Sequence, residues 1–244
     1  MTSQARGSGS PWVLTAVTLL LAVTLLLGAM VALSAVAWSM FDSRTLRFVC
    51  PPTQIVMSVT APLLGVLLVY RARCIGGRAA LVAACWAAMA VAVGIAVFGV
   101  ALSAWLLKDG YPDTSGTRWE DAGSIVVGSV LVQVIAQLTG TGVGLLVRWP
   151  AVACLLTLVL QLGADRLFDA VDILRPAQAW LTLSPTARPL LEGQTTGMDW
   201  VRSSIVVALW LGLNLLGARA ASRRRPRVEA AAPTQLDQQP DPAP

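Results

Sequence analysis

The chain has 244 residues, 56% of them hydrophobic and only 13% charged, and its mean hydropathy is +0.69. A soluble domain carries about twice that share of charge, so this composition excludes a soluble globular protein and points to bilayer-crossing segments. The net charge of +5 is no mark of nucleic-acid binding: the basic residues lie between apolar runs and in the C-terminal tail, where they set topology and meet anionic headgroups.

Residues 1–11 are polar, rich in Gly and Ser, and expected to form a short cytoplasmic tail ending at Pro11. Residues 12–38 carry no charge and form the first predicted span, with Trp12 and Trp38 placed as interfacial anchors. Ala35-Val36-Ala37 looks like a signal-cleavage site, but a signal core is only about 7–15 residues long, so an uncleaved helix is expected. Span two is predicted over 48–70, opened by Pro51 and Pro52 and kinked at Pro62, which removes a backbone donor. A short basic turn follows, holding Arg71, Arg73, Cys74, Gly76, Gly77 and Arg78. Span three covers 79–107, rich in alanine, with Gly94 and Gly99 placed for close helix approach.

After a polar loop over 108–121, span four is predicted over 122–147, and Arg148-Trp149-Pro150 makes a tight turn. Span five, 151–172, stays uncharged only to Ala164 and then meets Asp165, Arg166, Asp169 and Asp172, so it must thin the bilayer or continue through a wet or protein-lined region. The three aspartates share a helical spacing; a solvated acidic face at a helix end accounts for them better than a cation or proton relay, because charge near a membrane end is cheap. The connection over 176–200 holds Pro176, Pro185, Pro189, Trp180 and Trp200, and is expected to contain an interfacial helical turn. Span six covers 201–221, with Arg202 and Arg219 able to snorkel at opposite ends. The tail, 222–244, opens on Arg223-Arg224-Arg225-Pro226-Arg227 and ends in a Pro/Gln/Ala stretch predicted to be disordered.

The fold class expected is therefore all-α: a multi-pass protein of the plasma membrane with six transmembrane helices and both termini cytoplasmic. With the N-terminus inside, cytoplasmic segments hold ten of the 18 bases and three of the 13 acids. The rule counts Lys and Arg, and the arginine cluster after span six is its strongest part.

The chemistry that is missing narrows the function. The chain has no histidine, which removes Ser-His-Asp and Cys-His catalysis and histidine-bearing zinc motifs. Lys108, the sole lysine, precedes Asp109, so there is no P-loop. Cys50, Cys74, Cys85 and Cys154 form no CxxC pair and fall at different predicted depths, which speaks against a disulfide framework or metal site. No enzyme activity, cofactor or metal is expected. Intramembrane polar residues remain as candidates: Gln133 and Gln137, one turn apart in span four, Gln161 in span five and Asn214 in span six. They line a pathway or hydrogen-bond helices to one another; amides carry no charge and satisfy each other readily, which favours the second. Gly140 and Gly144 form a GxxxG packing face that serves either a dimer seam or contacts within the chain.

From span four onward a resemblance emerges. The span ends in Gly140-Thr141-Gly142-Val143-Gly144-Leu145-Leu146-Val147-Arg148, another span follows at once, then a proline-bearing stretch, Trp180-Leu181-Thr182-Leu183-Ser184-Pro185-Thr186-Ala187, and a last span with a basic tail. Over roughly residues 120–225 this resembles permease subunits of the ABC type-2 transporter family, especially compact actinobacterial ones. The resemblance implies an ATP-driven exporter built from a homodimer or heterodimer of permeases and a separate P-loop ATPase subunit. It also implies that the short cytoplasmic turns contact the ATPase, through Arg71, Arg73, Cys74, Arg78 and Arg148. The alternative is a non-transporting membrane scaffold or assembly partner of an envelope complex.

Overall fold

In a computed structural model the described residues are 11–38, 45–108, 119, 121–170, 183–193 and 195–223. All their regular structure is α-helical: α1 (Pro11–Trp38), α2 (Leu46–Ile75), α3 (Arg78–Lys108), α4 (Ala122–Leu146), α5 (Pro150–Ala170), α6 (Leu183–Leu191) and α7 (Gly197–Arg223). Five of these, α1, α2, α3, α4 and α7, are long and apolar enough to cross a membrane, and α5 contributes a shorter apolar stretch, Pro150–Gly163. The chain is thus an all-helical, membrane-embedded protein. The polar N-terminal segment, the loop over 109–118 and the C-terminal segment from 224 onward lie outside the described residues.

The helices form a core and an outer layer. In the most apolar stretch of α2 and of α4, 50% and 56% of residues are buried, against 17%, 28% and 22% in α1, α3 and α7. Exposed Leu19, Leu26, Met30, Val97, Leu155 and Leu216 cover the outer layer, an apolar surface suited to lipid and not to water. Between α2 and α4 there is no hydrophobic driving force inside a bilayer, so close packing has to hold them. It does so through glycine. A side chain at Gly140 would collide with the Pro62 backbone, and one at Gly144 would sit 3.1 Å from the Val66 Cα. GxxxG is therefore used within the chain, to seat α4 against α2. On α3, Ala84, Ala88, Ala92 and Ala96 make a buried small-residue stripe at i+4 spacing. Gly99 continues it, and the amide of Gln54 fills the space that a side chain there would need. Gly94, which the sequence paired with Gly99, faces open space instead.

Helix α2 begins five residues before Pro51, at Leu46, and runs unbroken through Pro51, Pro52 and Pro62. The prolines therefore do not open it. Phe48 N–H and Val49 N–H bond the Thr45 carbonyl at 3.1 and 3.3 Å and start the first turn upstream of both.

Contacts fix which helix ends lie together. The Trp12 and Tyr70 rings are 6.0 Å apart, bringing the start of α1 to the end of α2. Gly217 lies against Leu145, bringing the last turns of α7 to the end of α4. At the opposite end Ala32, Leu46, Val49, Cys50, Leu107 and Ile125 make one cluster from α1, α2, α3 and α4.

The connection before α7 holds a nine-residue helix, α6, where the sequence suggested only an interfacial turn. Ala187, Leu190 and Leu191 are fully packed with Val132 of α4, and Gly128 has no room for a side chain beside the Leu190 carbonyl. At 1.5 Å per residue, Gly128 and Val132 lie about 9 and 15 Å along α4 from its start. Helix α6 thus runs alongside α4 well past its first turn. Gly193 then returns the chain to the level of Asp121, with its carbonyl accepting from Ser124 Oγ at 3.5 Å and a φ of 74° that favours glycine. Non-spanning backbone at this depth is tolerated only where protein covers it, and α4 supplies that cover.

Helix α7 begins with a reciprocal cap. Thr196 N–H and Oγ1 donate to Asp199 Oδ2 at 2.9 and 2.7 Å, and Asp199 N–H reaches Thr196 Oγ1 at 3.4 Å. Thr196→Ala is expected to cost about 1 kcal/mol of local stability. Faster amide exchange confined to the first turn of α7 would register it.

Candidate functional site: a polar seam along α4

Four polar residues of α4, Ser129, Gln133, Gln137 and Thr141, are fully or almost fully buried and recur at i+4 spacing. Each such step turns about 40° around the helix axis, so a row of this kind winds around the helix as it descends. The winding decides which partner each residue meets.

At the first position Ser129 Oγ lies 3.6 Å from Cys50 Sγ of α2. One turn on, Gln133 Nε2 donates both to the Gln54 carbonyl and to Gln54 Oε1, each at 3.0 Å, while Gln54 Nε2 donates to the Ala96 carbonyl of α3 at 3.0 Å. Two amides thereby tie three helices. At the last position the row faces α7: Thr141 Oγ1 donates to Asn214 Oδ1 at 2.8 Å, and Asn214 Nδ2 donates to the Leu138 and Trp210 carbonyls at 2.8 and 2.7 Å.

Gln137 is the exception. Its side chain is fully buried, yet neither its Oε1 nor its Nε2 has a hydrogen-bond partner among the described residues, and Gln133 Oε1 is likewise unpaired. Gly65 of α2 makes room for it: a side chain there would come within 2.7 Å of Gln137 Oε1. Buried amides left without a protein partner in this way are uncommon.

Of the residues singled out from sequence, Gln133, Gln137 and Asn214 thus come together on one seam. Gln161 stands apart from it, half-buried on α5. Sequence reasoning missed Gln54, Ser129 and Thr141. An amide in an otherwise apolar run was the available signal for Gln54, and the i+4 repeat from 129 to 141 for the other two. Replacing Gln54 and Gln133 by leucine, singly and together, is expected to give a coupling energy of about 1 kcal/mol in a double-mutant cycle of unfolding in detergent. A coupling of zero would mean the two amides do not meet.

The basic turns form the second assembly. Arg73 at the end of α2 donates from Nη1 to the Val147 carbonyl at 2.7 Å and from Nη2 to the Leu145 carbonyl. These are the terminal carbonyls of α4, where a cation also meets the negative end of the helix dipole. Arg73 thus locks the α2–α3 turn to the α4–α5 turn. Around it Cys74, Arg78 and Arg148 are exposed, and Arg71 is half-buried. Of the acidic group in span five, Asp172 lies outside the described residues, and Asp165 and Asp169 are described only as backbone of α5.

Compared with models of known protein families, with curated proteins and with solved structures, the chain finds no match.

Proposed function

We propose that the chain is the membrane-spanning permease subunit of an ATP-driven exporter, with ATP hydrolysed by a separate P-loop ATPase. The observation that carries this reading is the joining of two turns by Arg73, which presents exposed Arg78, Arg148 and Cys74 on one end of the bundle. A force applied to that end reaches α2 and α4 together, and these helices carry Gln54, Ser129, Gln133, Gln137 and Thr141 of the buried polar seam. The basic residues of these turns support a cytoplasmic position for this end. With α5 counted as a span, the chain crosses six times and begins and ends on that side, in the plasma membrane, and two such subunits form the transport unit.

Affinity purification of the full chain from its host in mild detergent tests the proposal. The expected result is a P-loop ATPase recovered in near one-to-one ratio, and lost when Arg78 and Arg148 are both replaced by glutamate. Recovery of an unrelated envelope protein with no ATPase would favour instead a scaffold or assembly role.

A further inference from the structure

At the end of the bundle opposite the basic turns, a cavity of about 700 Å³ opens between the end of α1, the start of α2 and α6. Its lining combines apolar side chains, Val31 among them about ten Å along α1 from Trp38, with Trp38, Phe48, Arg47, Arg188 and Glu192. Arg47 and Arg188 are both exposed, and no described carboxylate pairs with either. Trp38, 84% exposed at the end of an apolar span, marks the level of the headgroups.

We propose that this cavity is a binding site for one phospholipid of the surrounding bilayer, with its phosphate held by Arg47 and Arg188 and its upper acyl chain laid along Val31 and Phe48. Three features fit that occupant. The cavity is walled on one side by α1, a lipid-facing helix, so it borders the bilayer. Two guanidiniums match phosphate oxygens in charge and hydrogen-bonding geometry. Among the charged lining residues Glu192 offsets one arginine and leaves a net charge of plus one, which suits a single phosphate. Because α6 carries Arg188 while Arg47 begins α2, the bound lipid would bridge the short helix to the bundle. The site stands independently of the transport reading, since it needs neither an ATPase nor a substrate.

The test is native mass spectrometry and thermal melting of the full chain, purified in mild detergent and supplied with defined lipids. Wild-type protein is expected to retain about one phospholipid and to melt higher with added phosphatidylglycerol. Diacylglycerol, which has the same chains and no phosphate, and inorganic phosphate, which has no chains, are expected to leave melting unchanged. The double variant R47Q/R188Q is expected to lose the retained lipid about tenfold or more. Should that double variant misfold, R188Q alone, on the exposed face of α6, is expected to lose it severalfold. Equal stabilisation by diacylglycerol, or retention undiminished in a folded variant, would overturn the proposal.

Discussion

Gly140→Leu is expected to lose about 3 kcal/mol or more of stability, enough to prevent recovery of a monodisperse protein. The new Cβ meets the carbonyl, carbon and Cα of Pro62, which are backbone atoms and cannot rotate away. Helix α2 itself must move. Displacing it also opens the contact of Gly144 with Val66 and the fit of Gly65 over Gln137. Gly94→Leu is the matched control: it makes the same change in helix propensity, but the added Cβ meets nothing within 4 Å and the position is exposed on α3. It is expected to stay within about 0.5 kcal/mol of the parent. Thermal melting of both variants in one detergent separates packing from propensity. Equal melting of the two would remove the α2–α4 interface from the account.

Arg73→Ala carries the second large effect. Its guanidinium holds two carbonyls at the end of α4, so truncation removes two charge-assisted hydrogen bonds at a half-buried site. The expected loss is about 2 kcal/mol, since water can re-solvate part of what is exposed there. Arg73→Lys is expected to recover less than half of that loss, because one ammonium cannot span Leu145 and Val147 as a planar fork does. Melting temperatures give the comparison, and amide exchange at the ends of α2 and α4 localises it. Full rescue by lysine would mean that charge alone, and not the two-point grip, holds the turns together.

Much of this architecture was legible in the residues, and the reason is the bilayer. A span must be apolar over about 20 residues, so the ends of α1, α3 and α4 fall within a residue or two of expectation. Helix α2 starts two residues before expectation but ends five residues beyond it, at Ile75, because the charges of Arg71 and Arg73 suggest a turn where the helix runs on to Gly76. Helix α6 was not legible as an embedded element. Nine residues with internal Pro189 are too short to signal membrane burial, and only the fit of Leu190 against Gly128 places them there. The seam was half legible. Gln133 and Gln137 stood out as amides in an apolar run, and Asn214 did so on its own helix. That Gln133 meets α2 while Thr141 meets α7 follows from the winding of the row, which needs the positions of both neighbours. The role of Arg73 was hidden for a similar reason: in sequence it is one arginine of three in a basic turn, and its carbonyl partners lie more than 70 residues away.

The most direct test of the central claim is crosslinking from Cys74 in intact cells. Cys74 is the one fully exposed cysteine of the four. It sits beside Arg73, on the end proposed to meet an ATPase. A thiol-specific photocrosslinker attached there is expected to capture a P-loop ATPase, identified by mass spectrometry, and to lose it in the R78E/R148E variant. Labelling of Cys74 by a membrane-impermeant reagent from outside the cell, or a cytoplasmic Cys74 that captures no ATPase, would contradict the account.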